Sequence, residues 1–189
     1  MSVVFDLNSL KLRLTPQLPY SNSSDAAIAI IIKAEPTASV LLIKRVEREG
    51  DPWSGQIAFP GGHRSQVDPT LLETAIRETR EEVGIELEPH HLLGILPSLP
   101  THTRRVEVTP FVFHLKSEAR LNPNYEVAET FWAPLTNLMQ IKPRKSEVET
   151  DGKRLSVESY VYRGHVIWGL TFRILNLLLN RGQKPNSDR

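Results

Sequence analysis

Residues 58–85 read AFPGGHRSQVDPTLLETAIRETREEVGI, a turn with two glycines followed by a helix rich in charge. At about 100° of rotation per residue, one stripe of this helix is suited to face a core. The predicted stripe consists of Leu72, Ala75, Ile76, Thr79 and Val83. The carboxylates of Glu78, Glu81 and Glu82 lie beside it, and like charges three and four residues apart repel each other. We therefore expect a source of positive charge close to this helix.

Two interpretations of the acidic helix are open at this point. Solvated ion pairs would explain it, because Glu73–Arg77 and Arg77–Glu81 both have the i to i+4 spacing. A divalent cation is the other explanation, and oxygen ligands without His or Cys favour Mg²⁺ or Mn²⁺ over zinc. The turn at residues 59–62 favours a cation, because its glycines can bring bare carbonyls and amides against a ligand. Gly84 follows the helix as a C-terminal glycine should.

Residues 77–85, RETREEVGI, resemble the second half of the Nudix box, G-x5-E-x7-R-E-U-x-E-E-x-G-U, in which U is aliphatic. Thr79 replaces one aliphatic residue. Six positions after Gly62 stands Asp68 instead of Glu, and eight residues rather than seven then precede Arg77. The family's first acid helps to orient the arginine, and the resemblance leaves that role open for Asp68. It implies an α/β fold, the Nudix α/β/α sandwich with a mixed central sheet between helices.

The resemblance also implies a chemistry, the hydrolysis of a nucleoside diphosphate linked to another group with Mg²⁺ or Mn²⁺ as cofactor. It implies that Glu78, Glu81 and Glu82 are metal ligands and that a carbonyl of Gly61 or Gly62 completes the shell. The same implication makes Arg77 a residue that holds a carboxylate in place. The base that takes a proton from water is left open between a glutamate of the box, Glu126 and Glu129.

A second resemblance concerns the substrate. Residues 41–45 (LLIKR), 54–62 (SGQIAFPGG) and the displaced acid Asp68 are similar to the coenzyme A diphosphatase branch of the family. Residues 108–112, 124–127 and 167–171 are similar to it as well. The spacing from Arg45 to Gly55 is about one residue longer than in that branch, and Gly50 replaces a basic residue. The resemblance implies cleavage of coenzyme A, or acyl-coenzyme A, to 3′,5′-ADP and 4′-phosphopantetheine.

Two other functions remain as alternatives. One is a Nudix pyrophosphatase that acts on ADP-ribose, a dinucleotide or a nucleoside triphosphate. The other is a catalytically silent Nudix domain that binds a nucleotide or a protein, and the intact Glu78, Glu81 and Glu82 argue against it.

Several further residues are candidates for binding the substrate, together with Gly61 and Gly62. The guanidinium groups of Arg45, Arg104 and Arg105 are suited to a phosphate, although solvated surface charge explains them too. Trp53 precedes the glycine turn and is expected either to stack on adenine or to pack at the base of its loop. The remaining tryptophans, Trp132 and Trp168, lie in apolar stretches and are expected in the core.

Composition limits the classes of protein that this chain can belong to. Its 189 residues suit one domain at 25–181, after a lead-in at 1–24 packed on or beside it and before a disordered tail at 182–189. A net charge of +1 gives no argument for nucleic acid, and the lack of cysteine excludes disulfides and thiolate zinc sites. Residues 1–34 do not resemble a signal peptide and no apolar run is long enough to span a membrane, so a cytoplasmic location is expected. A homodimer is common in the family, with Phe111, Phe113 and the last helix as a candidate interface.

Alternation and turn residues predict the remaining elements. Strands are predicted at 27–33, 40–45, 56–59, 92–99, 106–115 and 127–133, and a hairpin at 147–150 and 155–162 around Asp151-Gly152. Helices are predicted near 7–12, at 134–140 and at 170–180, the last ended by Gly182.

Overall fold

A computed structural model describes residues 5–16, 25–51, 53–101, 106–116, 119–150 and 152–181 of the chain. In this part of the chain the strands are β1 (Ala26–Lys33), β2 (Ser39–Arg45), β3 (Ile57–Ala58), β4 (Gly61–His63), β5 (Leu92–Ile95), β6 (Leu99–Pro100), β7 (Glu107–Leu115), β8 (Val127–Pro134), β9 (Arg144–Thr150), β10 (Lys153–Tyr162) and β11 (His165–Trp168). The helices are α1 (Leu7–Lys11), α2 (Leu71–Val83), α3 (Leu135–Gln140) and α4 (Gly169–Leu178), with a short 3₁₀ turn at Pro89–His91.

The described residues contain a mixed sheet of eight strands and a separate antiparallel sheet of three. In the larger sheet the order is β3-β2-β1-β7-β5, with β4 on β1, β6 on β7 and β8 on β2. Strand β1 runs parallel to β7, and the other pairs in this sheet are antiparallel. The smaller sheet has the order β11-β10-β9. The predicted mixed sheet is therefore confirmed.

Apolar side chains of β1 alternate between two cores, one on each face of the larger sheet. Ile30 and Ile32 belong to the core that α1, α3 and α4 cover. Ala29 and Ile31 belong to the opposite core, where α2 supplies Ala75 and Val83. A strand buried on both faces reads as a continuous apolar run, as AIAIIIK does. The helices on either side of the sheet confirm the predicted α/β/α sandwich.

Several element boundaries differ from the prediction. The strand expected at 92–99 is two strands, β5 and β6, and the gap between them contains Pro97, which has no N–H to donate to a ladder. The strand expected at 56–59 is shorter, and β4 forms after the Pro60 turn. Strand β11 was not predicted. The predicted turn residue Asp151 and the predicted stop Gly182 lie outside the described residues.

The predicted buried stripe of α2 is rotated in the structure. Leu71 and Thr74 are buried, whereas Leu72 and Ile76 are only half-buried. The hydroxyl of Thr74 donates to the Asp68 carboxylate at 3.0 Å, which turns this side of the helix towards the preceding loop. The spacing of apolar residues predicts how wide the buried face of a helix is. It does not predict which neighbouring segments cover the two edges of that face.

Two other expectations about burial were wrong. Trp132 and Trp168 are half-buried rather than core residues, and the ammonium of Lys33 lies 5.0 Å from the ring centre of Trp132. Phe111 and Phe113 are 1% and 0% exposed, so their side chains cannot form the proposed dimer interface. In the described residues, no helix is both long and apolar enough to cross a bilayer.

Candidate active site

Local signals fix both ends of α2, the helix that carries the acidic residues. At its start the Thr70 hydroxyl oxygen accepts a hydrogen bond from the Glu73 N–H at 3.4 Å, and the same hydroxyl donates to the Glu73 carboxylate. Glu73 thus serves the helix cap, and its predicted pairing with Arg77 is not the contact the structure shows. At the other end Gly84 adopts φ +72° and closes the helix, as predicted.

The two glycines of the turn allow α2 and β1 to approach the backbone. A Cβ on Gly61 would lie 2.3 Å from the carbonyl oxygen of Ala27 in β1, and its φ is +150°. A Cβ on Gly62 would lie 2.6 Å from Oε1 of Glu78. Gly61 is therefore required for strand contact, and Gly62 leaves space that the Glu78 carboxylate occupies.

Glu82 is a nearly buried carboxylate that faces the same turn. Its side chain is 3% exposed, and Oε2 accepts a hydrogen bond from the Gly61 N–H at 2.9 Å. Arg45 Nη1 lies 3.8 Å from Oε1. Burial raises the pKa of Glu82 to about 7, although the Gly61 N–H and the Arg45 charge oppose the rise. A further positive charge at this carboxylate would favour its ionised form.

Asp68 performs the role that the sequence left open, because it holds Arg77. Oδ1 accepts from Arg77 Nε at 2.9 Å and Oδ2 accepts from Nη2 at 2.8 Å, a two-pronged contact. The Ser65 N–H and the Thr74 hydroxyl also donate to Oδ2, at 2.9 and 3.0 Å. The hydrogen bonds from Arg77 hold the pKa of Asp68 well below its usual range, despite burial. The extra residue before Arg77 is thus accommodated without losing the contact.

Arg77 also contacts two of the box glutamates. Its Nη1 lies 2.9 Å from Glu78 Oε1 and 3.0 Å from Glu81 Oε2. With Asp68, Arg77 therefore contacts three acidic side chains. Burial raises the pKa of Glu78, and the Arg77 charge opposes that rise. The Arg77–Glu81 contact is the i to i+4 ion pair of the first interpretation, so that interpretation explains Glu81 but not the buried Glu82.

The carboxylates of α2 and the carbonyls of the glycine turn are suitable ligands for a hard divalent cation, but the carboxylates do not converge on one point. Among the described residues, no three His, Cys, Asp or Glu side chains converge as a metal site would require. Glu78 and Glu81 reach Arg77 instead. Glu78 and Glu82 nevertheless present carboxylate oxygens to the same glycine turn, and Glu82 is buried with a raised pKa. Carboxylates and backbone carbonyls are the ligands that Mg²⁺ and Mn²⁺ prefer.

A cavity of about 280 Å³ lies over the turn and brings most of the predicted site residues together. The predicted residues that line it are Arg45, Trp53, Gly61, Gly62, Glu78 and Glu82. Arg77 and Glu81 are outside this lining. Arg77 contacts the lining residue Glu78, and Glu81 contacts Arg77. Arg104 and Arg105, the other predicted phosphate ligands, lie outside the described residues. The cavity is at the small end of the range for ligand sites.

Arg45 is part of the wall rather than a solvated strand-edge charge. It forms an ion pair with Asp51 at 3.0 Å, and its side chain is 25% exposed. Its Nε is buried and has no hydrogen-bond partner within the described residues. An orphaned donor beside Glu82 is the kind of group that a polar ligand can satisfy.

Of the two candidate bases outside the box, Glu126 and Glu129, only Glu126 lies at the cavity. Glu126 lines the cavity and pairs with Arg48 at 3.3 Å. Glu129 lies instead 3.4 Å from His165 Nε2. Pairing between β2 and β8 brings Glu126 to the site, because the Val46 N–H donates to the Glu126 carbonyl at 2.9 Å.

Other cavity residues were missed by sequence reasoning. Thr101, Leu170 and Thr171 line the wall, and the Thr171 hydroxyl donates to the Ile57 carbonyl at 2.8 Å. The only signal for a site role of the segment at 167–171 was its resemblance to the coenzyme A diphosphatase branch. Arg48 does not line this cavity but pairs with Glu126, and it was missed as well; its guanidinium carbon lies 5.2 Å from the ring centre of the exposed Tyr125.

Comparison with known proteins assigns the family. The NUDIX domain family matches residues 23–153. The chain is 34% identical to a Nudix hydrolase NudL of Pectobacterium atrosepticum over 91% of its own length and 90% of the relative. It is 33% identical to a NudL of Photorhabdus laumondii, over 92% of this chain and 93% of that one.

A solved structure gives the same result for the fold. A MutT/nudix family protein from Enterococcus faecalis superimposes with a TM-score of 0.59 at 16% identity, covering 87% of this chain and 64% of that one. Nudix hydrolases in general use divalent metal ions, which agrees with the hard-oxygen donor set around the glycine turn. The match over most of the chain, the α/β/α sandwich and the acidic helix at the turn all agree: the chain belongs to the Nudix hydrolase family.

Proposed function

We propose that this chain is a Mg²⁺- or Mn²⁺-dependent coenzyme A diphosphatase that cleaves coenzyme A or acyl-coenzyme A to 3′,5′-ADP and 4′-phosphopantetheine. The observation that carries the hydrolytic part is the placement of Glu78 and Glu82 against one glycine turn in a cavity. The similarity of residues 41–45, 54–62 and 167–171 to the coenzyme A diphosphatase branch supports the substrate.

Glu78, Glu82 and a carbonyl of Gly61 or Gly62 are the groups that would hold the cation, with Glu81 joining them if it leaves Arg77. When bound, the cation would neutralise charge on the diphosphate and help to orient the phosphates. The Asp68–Arg77 pair positions Glu78, because it fixes the guanidinium that the Glu78 carboxylate contacts.

Hydrolysis forms a bond from a water oxygen to one phosphorus while the bond from that phosphorus to the bridging oxygen breaks. The attacking water must give up a proton, and a carboxylate within reach of the cavity can accept it. Glu126 is our candidate, because it lines the cavity whereas Glu129 faces His165. The Arg48 contact at 3.3 Å fixes the Glu126 carboxylate at the cavity edge.

Arg45 and Trp53 are the proposed contacts for the nucleotide half. Arg45 places a guanidinium in the wall, with a buried Nε that a phosphate oxygen can satisfy. Trp53 lines the same cavity and offers an aromatic face for adenine.

A substrate panel tests this proposal. The protein is incubated with Mg²⁺ or Mn²⁺ and coenzyme A, acyl-coenzyme A, ADP-ribose, NADH, dinucleoside polyphosphates or nucleoside triphosphates, and products are identified by mass. We expect 3′,5′-ADP and 4′-phosphopantetheine as the preferred products. A clear preference for ADP-ribose would contradict the coenzyme A assignment, and turnover of none of these would favour a silent binding domain.

A matched pair of variants tests the assignment of the site. We expect Glu82→Gln to lower turnover by at least about 10²-fold, because it removes the charge that would stabilise the cation. Glu86→Gln makes the same change at an exposed position just beyond the helix and should leave turnover unchanged. Near-normal turnover of the Glu82 variant would show that this carboxylate is not an essential ligand.

A further inference from the structure

A second, larger cavity lies beside the catalytic one. This groove has a volume of about 790 Å³ and lies between the loop that follows β2 and the sheet of β9, β10 and β11. The loop contributes Ser54 and Gly55, and the sheet contributes Val148 and Val166. Its size is in the upper part of the range for ligand sites.

The groove and the catalytic cavity adjoin at one short segment. Gln56 and Ile57 line both of them, at the start of the strand that leads into the glycine turn. If the diphosphate of a substrate lies at the glycine turn, a substrate group that extends past Gln56 and Ile57 therefore enters the groove.

The charges around the groove do not suit a second anion. Its described lining includes two cationic residues, Lys44 and Arg48, against four acidic ones, Glu47, Glu49, Asp51 and Glu149, which gives a formal charge of −2. Both cations already have acidic neighbours, since Lys44 lies 3.7 Å from Glu47 and Arg48 lies 3.3 Å from Glu126. A phosphate placed here would meet net repulsion.

The groove does suit a neutral chain that carries hydrogen-bonding groups. Ser54, Gln56 and Thr150 supply polar side chains, and Val148 and Val166 supply apolar surface. A chain that combines methylene and amide groups matches such a mixed lining, because the lining offers apolar surface to the methylenes and hydrogen-bonding side chains to the amides.

We propose that this groove binds the non-nucleotide arm of the substrate, and that the arm is an extended, uncharged chain with amide or hydroxyl groups. The inference rests on the proposed function, because it requires a diphosphate bound at the glycine turn. The nucleotide half, with its phosphates, stays with the catalytic cavity. The groove then selects substrates by the chemistry of the arm rather than by the nucleotide.

Filling the groove tests this division. Val148→Trp narrows it from β9, and Val166→Trp narrows it independently from β11. Glu147→Trp adds the same ring at the neighbouring exposed position of β9, which is not part of the lining, and serves as control. Thermal melting establishes that each variant folds. The two products serve as probes, because 4′-phosphopantetheine carries the arm and 3′,5′-ADP carries the nucleotide.

We expect either groove variant to raise KM for coenzyme A and the inhibition constant of 4′-phosphopantetheine by at least about 10-fold, since a ring in the groove excludes the arm. The inhibition constant of 3′,5′-ADP should stay within about 2-fold, and the control variant should match the unaltered chain. Equal weakening of both products, or weakening of neither, would overturn the inference. Failure of the unaltered chain to hydrolyse coenzyme A is a different result and would contradict the proposed function.

Discussion

Replacing Asp68 by Asn isolates the energetic contribution of the Asp68–Arg77 pair. The Asp68 side chain is 4% exposed and accepts four hydrogen bonds, two of them from Arg77. Removing one partner of a buried ion pair costs about 3–5 kcal/mol. Arg77 is 19% exposed and keeps Glu78 and Glu81 as partners, so the lower end applies. We expect a loss of about 3 kcal/mol at pH 7, which corresponds to a fall in Tm of about 6–12 °C.

The same substitution has a pH dependence of known sign. Arg77 holds the pKa of Asp68 below its value in the unfolded chain, so the carboxylate stabilises the fold above that unfolded value of about 3.9. The stabilisation decreases as the pH falls from about 4 through the folded pKa. The difference in unfolding free energy between the unaltered chain and Asp68→Asn should therefore be full at pH 7 and shrink below about pH 4.

Urea unfolding in metal-free buffer between pH 3 and pH 7 measures this difference. Asp25→Asn makes the same change at an exposed aspartate and should alter stability by no more than about 0.5 kcal/mol. A loss below about 1 kcal/mol at pH 7 would refute the reasoning. So would a loss that does not diminish in acid, since it would then arise from packing rather than from charge.

Four other substitutions give distinct outcomes. Gly61→Ala should reduce the unfolding free energy by several kcal/mol, because its Cβ would lie 2.3 Å from a rigid backbone carbonyl; an unchanged urea midpoint would contradict this. Gly62→Ala should instead reduce turnover by at least about 10-fold with a smaller effect on stability, because its Cβ meets the movable Glu78 carboxylate at 2.6 Å; melting and kinetics on one preparation separate the two effects. Glu126→Gln should lower kcat by about 10²-fold and Glu129→Gln by less than about 3-fold, and equal effects in steady-state kinetics would remove Glu126 as the base.

The helix of the Nudix box was predictable because its signals are local. The apolar periodicity and Gly84 both lie within residues 72–84, and the structure places the helix at Leu71–Val83. The substitution of Thr79 for an aliphatic residue is tolerated for a local reason too. Its side chain is fully buried, and its hydroxyl donates to the Ala75 carbonyl at 2.7 Å, so no polar group is left unpaired.

The cavity was less predictable because distant segments form it. Glu126 reaches the site through the pairing of β8 with β2, and Arg45 becomes a wall residue through Asp51 in the following loop. Neither contact has a spacing that a single sequence displays. The burial of Glu82 likewise depends on a turn 21 residues earlier in the chain.

Asp68 and Glu82 are two buried carboxylates whose pKa values move in opposite directions. Asp68 is 5% exposed and Glu82 is 3% exposed, so burial alone would raise the pKa of both. Asp68 is compensated by a two-pronged guanidinium contact and two further donors, which reverse the effect of burial. Glu82 has the Gly61 N–H at 2.9 Å and the Arg45 guanidinium at 3.8 Å, which do not reverse it.

Asp68 is therefore a carboxylate that stabilises the fold. The buried charge of Glu82, in contrast, is only partly balanced by the groups that the fold places around it. An uncompensated buried acid costs stability unless a cation binds to it, and any ligand that binds the folded chain alone stabilises it by mass action. The position of α2 does not depend on Glu82, because the Asp68–Arg77 contact and the Thr70 cap hold this helix separately. The helix can therefore form although the buried Glu82 carboxylate reduces stability. The displaced acid of the box thus supports the helix from outside the cavity, and Glu82 can face the turn without being the group on which the position of the helix depends.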